Sequence, residues 1–305
     1  MTLGIEKISY YLPQQSHSDE ELAAKYNFNV DFIRDKIGVR RIFVAAEREY
    51  TFDLATKALL ALFEDSPGTK ERVQVLVVCT QTPDFQLPQV SAMVQDKAGL
   101  GRDVAAFDIN LGCSGFVYGL SLIQAFMERN ELTSGILVTA ETYSKIVDSE
   151  DRNTKCLFSD AAAATLIGPQ GRLLPMRYTF GTGGHLFESL IVRSDGKNPH
   201  GPGGSLHMDG RAIFEFVADA VPNDVRKCLR INGLTLSDID FFVFHQASNF
   251  LLNALAKELG IVDTARVVKC VDQFANTVSS QVRFSGRLYD DRKKVRIFDG
   301  GGRRV

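Results

Sequence analysis

The order of elements along residues 52–113 recurs along residues 211–276, and this internal repeat limits the chain to architectures that bury two copies of one unit against each other. In the first copy, helical apolar spacing over 52–63 leads to a valine-rich run over 73–79 that suits a strand buried on both faces. A loop over 80–88, a helix over 88–97 ended by Gly99 and a strand over 103–109 complete it. In the second copy, the helical pattern spans 211–229 and the apolar run 239–244. His245-Gln-Ala247 then stands where Cys79-Thr-Gln81 stands in the first, and a helix ended by Gly260 leads to a strand over 266–271. Cys113 and Asn276 follow the last strand of each copy and occupy equivalent places. Copies related by a pseudo-twofold axis bring their strand ends into one cleft, so Cys113, His245 and Asn276 are expected to face each other across it. The turn cluster Gly168-Pro-Gln-Gly171 divides the chain into expected halves at 1–170 and 171–305.

Cys113 sits in the chain's most apolar turn. A short strand ends near Asn110, Gly112 and Gly115 relax the backbone around the cysteine, and residues 114–127 are apolar on nearly every face, as in a helix buried in a core. A thiol at that helix N-terminus meets unpaired N–H groups and the positive end of the macrodipole, which lowers its pKa toward neutrality and makes it a nucleophile. The alternative is a buried cysteine serving as a small hydrophobe.

Composition excludes several classes. A chain of 305 residues, 45% hydrophobic and 24% charged, reads as an ordinary globular protein. Its N-terminus has no basic region followed by an apolar core, and no run approaches the roughly 18 apolar residues of a bilayer span. A cytoplasmic protein without membrane association is expected. Five cysteines without a Cys-x-x-Cys pair argue against a disulfide framework and structural zinc. His185, His200 and His207 match no metal spacing and read as loop histidines, so no metal site is expected. A net charge of −2 and a short mixed basic tail over 292–304 give no nucleic-acid bias. Elsewhere the sequence predicts a strand over 5–12, a capping box at Ser18-Asp-Glu-Glu21, a basic turn over 31–41, a strand over 135–139, and a strand pair over 154–167 broken at Ser159-Asp160. Gly181-Thr-Gly-Gly184 lacks the spacing of a dinucleotide fingerprint.

Cysteine, histidine and asparagine occur in that order in papain-like proteases, but those place the last two in a β-rich domain, whereas here both follow strands of a duplicated α/β layout. The motifs themselves resemble the thiolase superfamily, and within it the β-ketoacyl-acyl carrier protein synthase III family. Asp108-Ile-Asn-Leu-Gly-Cys-Ser-Gly-Phe-Val-Tyr-Gly-Leu120 is similar to that family's nucleophile motif, Asp240-Phe-Phe-Val-Phe-His-Gln-Ala247 to its histidine motif and Ala275-Asn-Thr277 to its asparagine motif. Thr82-Pro-Asp84 with Pro88, Asp151-Arg-Asn-Thr154 and Met208-Asp-Gly-Arg-Ala-Ile-Phe214 extend the resemblance over nearly the whole chain.

The resemblance implies a thiolase-like αβαβα five-layered fold of two pseudo-symmetric halves, a homodimer, and Cys113, His245 and Asn276 as catalytic residues. It implies that Cys113 takes an acyl group from acyl-CoA, and that malonyl-acyl carrier protein loses carbon dioxide and condenses with it. His245 and Asn276 stabilise the enolate, and N–H groups of Cys113 and of the turn near Gly300 to Gly302 hold the oxyanion. No cofactor is bound permanently. Phe32, Lys36, Arg152, Gly210, Phe214 and Ser248 fall at CoA or phosphopantetheine positions, and Leu87 at the position that closes the partner's acyl pocket. The pattern departs at Phe32, where a tryptophan is common, at Ser248-Asn-Phe250, where an asparagine and then a basic residue are common, and at Ser159-Asp-Ala161, which replaces Gly-Asp-Gly. The segment after Asn276 is also shorter than usual. Two other readings stay open: acyl transfer from the cysteine to an alcohol or amine, and an inactive partner subunit of a synthase complex.

Overall fold

The computed structural model describes residues 2–193 and 204–281, and the backbone of residues 298–299 and 303–304. In chain order, β1 (Gly4–Tyr11), β2 (Gln15–Ser18), α1 (Asp19–Tyr26), a π-helical turn (Phe32–Ile37) and β3 (Arg41–Val44) precede the first repeat. That repeat comprises α2 (Thr51–Asp65), β4 (Val75–Cys79), α3 (Val90–Lys97), β5 (Ala105–Ile109) and α4 (Gly115–Arg129). Then come β6 (Gly135–Glu141), α5 (Arg152–Lys155), β7 (Ala161–Gly168), β8 (Leu190–Val192) and β9 (Leu206–Met208). The second repeat holds α6 (Gly210–Ile231), α7 (Asn249–Glu258) and α8 (Val271–Phe274). The capping box forms as read: Ser18 Oγ accepts from Glu21 N–H at 3.2 Å, and Glu21 accepts from Ser18 N–H at 2.8 Å.

A five-stranded mixed sheet of order β1-β7-β6-β4-β5 carries the first half, with β4 parallel to both β5 and β6. Strand periodicity sorts its core into two faces. Leu76 and Val78 point to α2 and α3, whose Leu54, Leu59, Val90 and Val94 cover that face. Val75, Val77 and Cys79 point the other way, onto Phe116, Val117 and Leu120 of α4. The far side of the same cluster is Val243 of the second half, with Phe241 and Val268 packed against it. One residue along, Phe242 and Phe244 turn outward onto α6 and α7, meeting Val225, Leu252 and Leu255. The layers therefore run helices, sheet, α4, second-half backbone, helices. This is the thiolase-like five-layered α/β arrangement.

Three sequence expectations change. Residues 239–244 and 266–271 do not form full strands among the described residues; they pair in parallel only at Phe242 and Val267, through Phe242 N–H to Arg266 O at 2.7 Å and Val268 N–H to Phe242 O at 2.9 Å. Their apolar content marked them as buried extended chain, but a regular ladder needs hydrogen bonds beyond that bridge. Within 154–167 there is one strand, β7, rather than a pair. The preceding residues form α5, capped by Asp151, which accepts from Thr154 N–H at 3.2 Å. His207, read as a loop residue, lies in β9.

The repeat extends to the helix ends. Gly99 (φ 65°) and Gly260 (φ 69°) are both left-handed. Leu100 N–H reaches Gln95 O at 3.0 Å after α3, and Ile261 N–H reaches Ala256 O at 2.9 Å after α7, the same Schellman closure twice. A Cβ on Gly260 would meet no atom within 4 Å, so substitution there probes backbone strain alone. Gly260→Ala should lose about 1–2 kcal/mol in urea unfolding, the cost of left-handed backbone for an L-residue. Gly210→Ala, at a helix start with ordinary φ and equal space, should lose nothing, and equal losses at the two sites would contradict this account.

Candidate active site

Cys113 lies between β5 and the Ser114 N-cap of α4. Gly115 N–H closes the turn on Gly112 O at 2.7 Å. Neither glycine has positive φ, so what they supply is room rather than conformational freedom: Gln81 Oε1 lies against Gly112, and Cys79 Sγ against Gly115, where a Cβ would collide. Cys113 is half-buried, whereas the other four cysteines are buried. Burial pushes Cys156 up to about 11 and Cys79 further up, so both stay thiols at neutral pH.

Around Cys113 packs an apolar enclosure of Tyr143, Phe158, Leu190, Leu206, Met208 and Val278. The rings of Tyr143 and Phe158 meet at 4.8 Å, and Tyr143 Oη donates to Gln81 Oε1 at 2.9 Å. These residues escaped the sequence reading. The signal available was the alternation of Leu190 with Val192 and of Leu206 with Met208, which pair as the short hairpin β8–β9.

Segment 276–281 joins the second half to this turn. Asn276 pairs with Phe158, donating N–H to Leu157 O at 3.0 Å and accepting from Ser159 N–H at 2.9 Å. Its side-chain Oδ1 accepts from Val278 N–H at 2.9 Å and from Gln281 Nε2 at 3.1 Å, which leaves Nδ2 as the end able to donate. Val278 belongs to the cluster holding Cys113, and its side chain is next to Gly112. His245 follows the Phe242 bridge. Burial pushes its imidazole down to about 4, against the upward pull of hydrogen bonds with Gln281 and the Val278 backbone. The ring is neutral at pH 7, and its buried Nδ1 has no hydrogen-bond partner among the described residues. The structure thus gathers the Cys113 turn, His245 and Asn276 around one segment. The turn at Gly300 to Gly302 falls outside the described residues.

Phe32 and Arg152 meet through a residue the sequence reading missed. Phe28 stacks with Phe32 at 5.7 Å and lies under the Arg152 guanidinium at 4.9 Å, forming an exposed aromatic and cationic platform. Lys36 is exposed on the same π-helical turn. Gly210 begins α6, Phe214 meets the Phe250 ring at 5.1 Å, and Ser248 caps α7 by accepting from Leu251 N–H at 3.2 Å. Leu87 is 84% exposed and takes no part in the Cys113 enclosure of its own chain. Several motif acids prove to be helix caps: Asp84 accepts from Thr51 and Phe52 N–H at 2.7 and 2.8 Å, Asp108 from Val90 and Ser91 N–H at 2.7 and 2.8 Å.

A half-buried thiol at a helix N-terminus in an apolar enclosure, with Val278 of the Asn276 segment packed into that enclosure, has the parts for carrying an acyl thioester and stabilising an oxyanion. Two family models match, 3-oxoacyl-[acyl-carrier-protein (ACP)] synthase III over residues 107–182 and its C-terminal counterpart over residues 229–286. A β-ketoacyl-[acyl-carrier-protein] synthase III of Deinococcus deserti is 31% identical over 99% of this chain and 89% of its own. The chain belongs to the β-ketoacyl-acyl carrier protein synthase III family. Solved synthase III structures agree in fold: that of Thermus thermophilus superposes with a TM-score of 0.86 at 30% identity, covering 98% of this chain and 96% of its own. That of Pseudomonas aeruginosa PAO1 gives 0.88 at 28%, covering 99% and 95%.

The low His245 pKa has a stability consequence in this synthase III relative. The folded value near 4 lies below the ordinary 6.5, so the unfolded chain takes up the proton first as pH falls. The contribution is therefore present above 6.5 and lost progressively down to about 4. Denaturant unfolding at pH 7 and pH 4.5 should show a smaller loss for His245→Gln than for the parent; equal losses would place the imidazole in a solvated setting.

Proposed function

We propose that this chain is a decarboxylating condensing enzyme that joins the acyl group of an acyl-CoA to malonyl-acyl carrier protein, with Cys113, His245 and Asn276 as its catalytic residues. The observation that carries the reading is the convergence on segment 276–281. There Asn276 has its oxygen occupied twice, and His245 is neutral with an unpartnered nitrogen.

The geometry performs the reaction in two halves. Cys113 thiolate attacks the acyl-CoA carbonyl, the Cys113 N–H receives the oxyanion, and CoA leaves as the acyl–cysteine thioester forms. Malonyl thioester then loses carbon dioxide: the bond to the carboxyl carbon breaks, and its electron pair becomes the enolate. Asn276 Nδ2 donates to the enolate oxygen, and His245 donates in the tautomer that carries its single ring proton on the unpartnered Nδ1. The carbanion attacks the acyl carbonyl, the carbon–sulfur bond breaks, and Cys113 thiolate returns. The name that its relatives carry, β-ketoacyl-[acyl-carrier-protein] synthase III, supports condensation over acyl transfer to an alcohol or amine. The Phe28–Phe32–Arg152 platform suits the adenine of CoA, with Lys36 for a phosphate. The chemistry needs no permanently bound cofactor.

A homodimer fits two features. Among the described residues β5 is an edge strand with one side unpaired, and Leu87 is 84% exposed. Among the described residues no helix is long and apolar enough to cross a membrane. We place the enzyme in the cytoplasm.

The reading is tested by product formation from acyl-CoA and malonyl-acyl carrier protein, with carbon dioxide release measured separately. His245→Ala and Asn276→Ala should each lower decarboxylation roughly 100- to 1,000-fold while leaving acylation of Cys113 largely intact. Parent-rate decarboxylation in both variants would remove them from this step. Leu87 sets a further expectation. Each buried methylene favours binding by about 0.8 kcal/mol, so a leucine that leaves room in the partner's pocket admits acyl groups longer than acetyl. Acylation rates with acetyl-, butyryl- and hexanoyl-CoA should shift toward acetyl in Leu87→Phe; an unchanged profile with the dimer intact would exclude Leu87 from selectivity.

A further inference from the structure

We infer that Gln281 is a positioning residue that sets the direction of the Asn276 amide and ties it to the His245 loop, so that the two donors act as one unit; this rests on the condensing reading above. Gln281 is buried, and its amide is fully engaged. Its Oε1 accepts from Gln246 N–H at 2.6 Å. Its Nε2 donates to Gln246 O at 3.2 Å and to Asn276 Oδ1 at 3.1 Å. One side chain thus joins both backbone groups of Gln246, the residue after His245, to the Asn276 amide.

The consequence follows from the shape of an amide. The oxygen and nitrogen ends of asparagine are nearly equal in size, so only its partners decide which end faces the substrate. Asn276 Oδ1 is held by Val278 N–H and Gln281 Nε2. A flipped amide would put Nδ2 against both donors and turn an acceptor toward the enolate oxygen, removing one of its two hydrogen bonds. Without Gln281 only the Val278 N–H opposes that flip. The other side of the His245 loop is already fixed, because Gln246 donates to Phe244 O and Val268 O at 2.8 and 3.0 Å and accepts from Cys270 N–H at 2.9 Å. Gln281 completes the clamp from the asparagine side.

The test uses Gln281→Leu, which keeps bulk and removes every hydrogen bond, and Gln281→Glu, which keeps an acceptor for Gln246 N–H and removes the Nε2 donor. Cys113 acylation by acyl-CoA and decarboxylation of malonyl thioester are timed separately. In both variants acylation should stay within about twofold and decarboxylation should fall on the order of 10- to 100-fold, the loss of a preorganised donor. Introduced into Asn276→Ala, Gln281→Leu should lower decarboxylation by less than about threefold more, because residues acting through one another are not additive. Unchanged decarboxylation, equal losses in both half-reactions, or a full further loss in the double variant would overturn the assignment. A parent that takes up no acyl group would instead overturn the condensing reading.

Discussion

The pairing of Asn276 with Phe158 is the contact on which the site depends. Its two backbone hydrogen bonds lay the second half's chain along the first, and everything that follows is placed by it. Val278 and Ser279 then come against Gly112 and Gly115 beside the thiol, and Ser280 Oγ donates to Thr139 O at 2.9 Å on the central sheet. Val278 and Ser279 come to van der Waals distance of where a Cβ would stand, while Gln81 and Cys79 fill that space from the other side. The approach also bends the backbone: Ala275 (φ 54°, ψ −157°) and Val278 (φ 55°) take conformations suited to glycine. Such residues cost about 1–3 kcal/mol each and persist where surrounding contacts over-determine them. Here the contacts are those of Asn276, Gln281 and the Phe158 strand end.

The groups around this contact are kept uncharged. His245 is pushed down to about 4, and Glu141, buried at the end of β6 and receiving hydrogen bonds from Thr80, Gln81 and Thr82, is pushed up to about 8 by burial. A neutral, largely apolar enclosure gives the malonyl carboxylate little solvation, whereas carbon dioxide needs none. In the proposed reaction the negative charge would move to an oxygen facing His245 and Asn276, and that difference in environment between reactant and enolate would favour decarboxylation.

Much of this was legible in the sequence, because it rests on periodicity and on motifs that recur. The unbroken apolar runs ending at Cys79 and Phe244 marked strands buried on both faces, and the glycines at 99 and 260 marked equivalent helix ends. The placing of Cys113, His245 and Asn276 near one another followed from the repeat. What stayed hidden depends on contacts between residues far apart in the chain. Gly112 and Gly115 read as flexible, yet only the approach of Gln81 and Cys79 shows that they are there for space. Asp84, Asp108 and Asp151 read as family motifs, and their work as caps needs the helix each one faces. Phe28 carries no signal until Arg152 lies over it, and Gln281 carries none until its amide meets the His245 loop and Asn276.

Cys113 as the acyl carrier is the central claim, and intact-protein mass spectrometry after incubation with a panel of acyl-CoAs, followed by peptide mapping, tests it most directly. The account predicts a single acyl group per chain, located on Cys113 and absent from Cys113→Ala. An acyl group on Cys79, Cys156, Cys228 or Cys270, or full labelling of Cys113→Ala, would contradict it.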